Sequence, residues 1–212
     1  MGITKMYLIR HGESEGNSKH LFLGHTDLDI TEKGHQQAEA AAQYLKDVHA
    51  DVIYSSDLIR AYSTSLHTAK TKNMQVIKTE KLREIFAGEW ENLTYSEIIE
   101  KYPEDRELWI TNIGLSRPTG GESFMEVRDR IDVALREIAE ENLGKSVFCF
   151  THAAVIRSIS AYYMGYSPEE THTLPWADNA SVTEIEYENG KFTLLRYGYD
   201  EHLRSRGLGY GQ

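Results

Sequence analysis

Cysteine is almost missing: Cys149 is the only one in 212 residues, so no disulfide can close within the chain. That points to a reducing compartment, and a cytoplasmic location is the expectation. Long apolar runs are missing too, and none reaches the roughly 18 to 20 residues that a membrane-spanning helix needs. The opening stretch MGITKMYLIRHG has no signal-peptide core because Arg10 interrupts it, and Met6 stands where a myristoylation signal wants Ser or Thr. Positive charge is in short supply. With 23 Lys and Arg against 33 Asp and Glu, the net charge of −10 argues against nucleic acid as a partner. Short-spaced metal ligands such as His-x-His or His-Glu-x-x-His are also absent.

What is present suits a globular enzyme. Hydrophobic residues make up 40% and charged residues 26%, enough for a substantial core in one domain, 1–212, with an elaborated insertion. Strands and helices alternate, the pattern of an α/β three-layer sandwich whose mostly parallel sheet is flanked by helices. Strands are expected at 5–9, 52–55, 75–78 and 147–150. Helices are expected at 31–48, capped by Thr31, and at 58–72, capped by Asp57. Ser123 and Glu126 form a capping box ahead of an apolar stripe from Phe124 to Ile138, and a further helix runs 154–164 with Gly165 to stop it. Residues 92–118, polar and helical with interspersed aromatics, read as an insertion over a site. A C-terminal β-hairpin turns at Asn189-Gly190, and 204–212 reads as a loose tail.

In open α/β sheets ligands bind beyond the carboxyl ends of strands. Arg10, His11 and Gly12 follow the first strand, Arg60 the second, Arg83 and Glu84 the third, and His152 the fourth. This set suits phosphoryl transfer. Arg10, Arg60 and a protonated His152 would spread positive charge over the phosphoryl oxygens, with helix N-termini adding amide donors. Gly12 would let an anionic group approach the backbone. A neutral His11 would attack phosphorus, and Glu84 would protonate the leaving oxygen and later take a proton from water. The scheme calls for no metal ion or cofactor, because the arginines supply the charge.

The stretches LIRHGESEGN (8–17), DITEKG (29–34), SSDLIRAYSTS (55–65), LREIFAGEWENL (82–93), GGES (120–123) and FTHAAVIRSI (150–159) together resemble the histidine phosphatase superfamily. The resemblance is to the branch that holds cofactor-dependent phosphoglycerate mutases and bacterial broad-specificity phosphatases. It implies that His11 is phosphorylated, that Arg10, Arg60 and His152 form the phosphate pocket, and that Glu84 is the general acid. It also implies that Asn17 hydrogen-bonds the phosphoryl group or substrate. Ala153 stands where the family usually has glycine, and its methyl group would crowd the pocket or shift the backbone. The stretch after Glu84 is apolar and acidic, without the cations a mutase carries there. The expected partner is therefore a small phosphorylated substrate, and the alternatives are a mutase or a non-catalytic phosphate binder. Oligomeric state is not readable.

The remaining residues take plainer readings. Cys149 belongs to the core. The other histidines are structural, with His25 the one placed to line an entrance. Glu13, Glu15 and Glu122 either orient arginines or begin helices. Phe22, Phe86, Trp90 and Trp109 are packing residues, whereas Trp176 fits either role.

Overall fold

The computed structural model describes residues 2–209. Its elements run β1 (Thr4–Arg10), α1 (Glu15–Ser18), α2 (Glu32–Tyr44), β2 (Val52–Ser56), α3 (Ile59–Lys72), β3 (Val76–Thr79), α4 (Tyr95–Lys101), α5 (Pro103–Thr111), α6 (Phe124–Glu141), β4 (Ser146–Thr151), α7 (Ala153–Tyr163), β5 (Val182–Glu188), β6 (Lys191–Tyr199) and α8 (Glu201–Arg204). The six strands form one sheet in the order β3-β2-β4-β1-β5-β6. The first four are mutually parallel, and β5 and β6 complete the sheet as an antiparallel hairpin. At the hairpin turn Asn189 and Gly190 both have positive φ, the geometry a tight two-residue turn demands.

Strand β4 shows why the layers form. All six of its residues are buried, and their side chains alternate between the two faces of the sheet. Val147 and Cys149 pack with Leu135, Ile138 and Ile159 of α6 and α7, whereas Phe148 and Phe150 pack on the other face with Leu45 and Ala69. Each buried phenylalanine contributes roughly 1.5–3 kcal/mol of transfer free energy. The sheet is thus held between two helical layers, and the α/β three-layer arrangement expected from the sequence is the observed one. Burial also pushes the Cys149 thiol up to about 12, so it stays protonated.

Three local expectations fail. Asp57 does not cap α3: its carboxylate accepts two hydrogen bonds from Arg83, at 2.8 and 2.5 Å. The amide at the start of α3, Ile59 N, donates instead to Asp27 Oδ1 at 2.6 Å. A cap supplied from 32 residues away leaves no signature beside the helix. The segment after Arg204 is not loose through Leu208. Leu203 and Leu208 pack against Ala40 and Ala41, and the Leu208 carbonyl accepts from Gln37 Nε2. The last three residues of the expected tail lie outside the described residues. Nor is Gly12 kept small for a ligand, because a Cβ there would sit 2.5 Å from the Gly34 carbonyl oxygen.

Candidate active site

The register of the central strands builds the floor of the site. Arg10 at the end of β1 pairs with Thr151 at the end of β4, and His11 N donates to the Thr151 carbonyl at 3.0 Å. The next residue on each strand is a histidine, so the rings of His11 and His152 come to lie 5.3 Å apart. Glu84 arrives after β3, on a segment tied to β4 by the bond from Thr151 Oγ1 to the Leu82 carbonyl. Arg60 arrives in the first turn of α3, whose start is fixed by Asp27. Residues from four separated stretches thereby meet at one cavity of about 600 Å³, with Arg10, His11, Asn17, Arg60, Glu84 and Ala153 on its wall.

The His11 ring is oriented and uncharged. Its Nδ1–H donates to the Gly12 carbonyl at 2.7 Å, which leaves Nε2 without a proton and with a free lone pair. Complete burial, then Arg60 and Arg10, hold its pKa well below the usual imidazole range, against a small opposing effect of the Gly12 carbonyl. Gly12 N–H in turn donates to Thr64 Oγ1, and the Asn179 side-chain amide donates to the His11 carbonyl.

His152 corrects the sequence reading. Burial, followed by Arg60 and His11, also drives its pKa far down, so it is neutral in the free protein rather than protonated. It is fully buried beside His11, with Nε2 2.8 Å from Ser56 Oγ and a buried Nδ1 that has no protein partner. Leu58 N donates to the same Ser56 oxygen. Ser56 Oγ, which accepts from Leu58 N, keeps its own O–H to donate to Nε2, and the imidazole proton then sits on Nδ1, the nitrogen without a protein partner.

Arg60 is 1% exposed and spans two carbonyls, Gly24 at 2.8 Å and Thr26 at 3.0 Å. Burial lowers its pKa to about 10, still far enough above neutrality to keep it a cation. Arg10 donates to the Ala177 carbonyl at 2.6 Å, and its buried Nε has no acceptor. The Glu84 carboxylate accepts from Ile85 N and Ala154 N. One amide of the first turn of α7, that of Ala154, is therefore already engaged by Glu84. Ala153 opens α7 with ordinary helical backbone, so its methyl group causes no strain there. Asn17 Oδ1 closes the capping box of α1 and accepts from Asn179, which leaves its amide nitrogen as the donor toward the cavity.

Arg83 is turned away by Asp57, and His25 stands outside the cavity wall with Nε2 against the Glu84 carbonyl. Glu122 orients Arg130, which also reaches the Glu84 carbonyl, while Glu13 and Glu15 pair with surface lysines. Sequence reasoning missed Ser56, Thr64, Asn179, Arg106 and Arg157. Asn179 bridges His11 and Asn17. Neighbouring Ala180, at φ +59°, holds the carbonyls of both Arg10 and His11. Phe22 and Trp109 pack together as expected and also line the cavity, as does Trp176.

An α/β sheet that presents an uncharged imidazole between buried arginines at its carboxyl edge defines a protein built to handle oxyanions. The model of the histidine phosphatase superfamily (branch 1) matches residues 6–200, and the chain belongs to that superfamily. Phosphoserine phosphatase 1 of Hydrogenobacter thermophilus is 34% identical over 201 residues, 95% of each chain. A metal-independent phosphoserine phosphatase of Arabidopsis thaliana is 34% identical over 97% of this chain and 86% of its own. Among solved structures, YhfR of Bacillus stearothermophilus superposes with a TM-score of 0.90 at 30% identity, over 94% of this chain and 99% of its own.

Proposed function

We propose that the protein is a metal-independent phosphomonoesterase that hydrolyses small phosphate esters through a phosphohistidine at His11. The observation that carries the reading is the His11 ring itself, with one nitrogen fixed by the Gly12 carbonyl and the other free beside two buried arginines. His11 Nε2 attacks phosphorus as the ester P–O bond breaks, and protonated Glu84 gives its proton to the departing alkoxide. Glu84 then takes a proton from water, the water oxygen bonds to phosphorus, and the N–P bond breaks to release phosphate. Arg10 and Arg60 hold the phosphoryl oxygens throughout, with the Asn17 amide and the His152 Nδ1–H as further donors. Ala153 borders the same space. Names of similar proteins support a small phosphorylated substrate, since two are phosphoserine phosphatases. A mutase finds no support in the segment after Glu84: Glu91 accepts from His25 N and Thr26 Oγ1, and no cation lines the cavity from that stretch.

The test is phosphate release from phenyl phosphate in EDTA by the wild-type protein and by His11→Ala. Wild-type turnover is expected, with a loss of roughly a thousandfold or more in the variant. Activity that survives His11→Ala overturns the nucleophile assignment.

A further inference from the structure

The reactive groups occupy only one end of the cavity. At about 600 Å³ it falls within the range of roughly 300–1,000 Å³ that encloses drug-sized ligands, far more than a phosphate and a few carbons need. Its outer half is lined by aromatics. Trp109 meets Phe22 edge-on at 5.1 Å and runs nearly parallel to Trp176 at 6.1 Å, which makes one continuous apolar wall. Trp176 is 40% exposed and Ile110 58%, so this wall is open to solvent at the rim.

Two arginines stand in the same outer half. Arg157, on α7, is 6% exposed. Its guanidinium lies 4.3 Å over the Trp176 ring and donates to the His172 carbonyl at 3.0 Å, while its buried Nε finds no acceptor. Arg106, on α5, lies over the Tyr95 ring at 5.5 Å and likewise has a buried Nε without a partner. Among the described residues, neither makes an ion pair with a carboxylate, nor do Arg10 and Arg60, whereas most other arginines of this acidic chain do. A buried guanidinium without an anion is unfavourable on its own, and its planar fork suits a carboxylate or another oxyanion.

Resting on the phosphatase reading, we propose that the outer half of the cavity is a second recognition site for the alcohol portion of the substrate. It takes a phosphate ester whose body is flat and apolar and ends in an acidic group. The body lies along Phe22, Trp109 and Trp176, and the acid meets Arg106 and Arg157. These five residues determine specificity and take no part in bond breaking.

The experiment compares kcat/KM for aryl phosphates bearing a carboxylate with their carboxamide counterparts, in one-ring and two-ring versions, using wild type, Arg106→Gln and Arg157→Lys. The carboxylate-to-carboxamide ratio cancels losses of folding or phosphoryl chemistry common to both esters. In wild type at least one ring length favours the carboxylate by about tenfold or more, mainly through KM, and the ratio falls toward one in both variants. A wild-type ratio near one at both lengths overturns the second site and leaves the phosphatase reading standing. So does a ratio that survives in both variants, which makes Arg106 and Arg157 struts for their loops only. Absence of turnover with every ester strikes the phosphatase reading instead. The same ratio is then taken from dissociation constants measured by calorimetry, where a value near one again overturns the proposal.

Discussion

The floor and the mouth of the cavity are built on different principles. On the floor, side chains project from strand ends and first helical turns, and backbone groups orient them: His11 by Gly12, Arg10 by Ala177, Arg60 by Gly24 and Thr26, Glu84 by Ile85 and Ala154. At the mouth, Tyr95, Arg106, Trp109 and Trp176 come from short helices and connecting segments, and several stand partly open to solvent. The floor is preorganised for charge that develops during reaction, whereas the mouth presents area and unpaired donors. Rate should therefore depend on the floor and selectivity on the mouth.

The largest effect that tests this division is at Arg60. Replacing it with Met removes the phosphoryl clamp and deprives the Gly24 and Thr26 carbonyls of their donor. We expect kcat to fall by about 10²–10³, as for loss of one preorganised transition-state donor, together with a measurable loss of stability. The comparison breaks if Trp176→Ala, at the mouth, lowers kcat toward phenyl phosphate by a similar factor. Steady-state kinetics on the two variants decides it.

The floor should also make stability depend on pH. His11 and His152 both have pKa values driven below the ordinary value near 6.5 by burial and the neighbouring arginines. In the unfolded chain each takes up a proton as the pH drops below about 6.5, and in the folded chain neither does. Stability is thus flat above that pH on their account and declines below it, by up to about 1.4 kcal/mol per pH unit for each histidine. Urea unfolding midpoints between pH 7.5 and 5 measure the slope. His67 and His202, also depressed by burial, add to it, so the decisive quantity is the difference made by His11→Asn with His152→Asn. A slope untouched by that double substitution would show that the two rings are protonated in the folded protein.

The same division explains how much could be read from the sequence. The sheet was legible because strands such as Val147–Phe150 are continuous apolar runs, and the floor because its residues sit directly after those runs. Parallel order alone then places Arg10, His11, Arg60, Glu84 and His152 on one edge. The mouth was not legible. Arg106 and Arg157 lie mid-helix, where arginine is an ordinary surface residue, and only tertiary packing shows Arg157 buried over Trp176 and Arg106 half-buried over Tyr95. The charge of His152 was misread for a related reason: desolvation depends on what covers a ring, and that is decided by segments far away in the chain. Asn179 escaped because its partners, the His11 carbonyl and the Asn17 side chain, lie far away in the sequence, and no spacing encodes them.

The smallest expected effect sharpens the boundary between local and distant signals. Asp57 stands one residue before Leu58, the N-cap position of α3, yet the bond to Ile59 N comes from Asp27, on the loop that also offers the Gly24 and Thr26 carbonyls to Arg60. Asp27→Ala should then cost about 1 kcal/mol, the usual loss for an N-cap, and Asp27→Asn should recover most of it, because asparagine caps as well as aspartate. Asp57 instead holds Arg83 in a half-buried pair that also keeps the Asp57 carboxyl below its usual range. Asp57→Asn should therefore lose as much as Asp57→Ala, at or below about 1 kcal/mol, since the charge is what matters there. Chemical denaturation of the four variants separates the roles by pattern rather than size. If asparagine rescues position 57 and not position 27, the helix is capped by its own neighbour, and the loop that carries Asp27 no longer fixes where Arg60 begins.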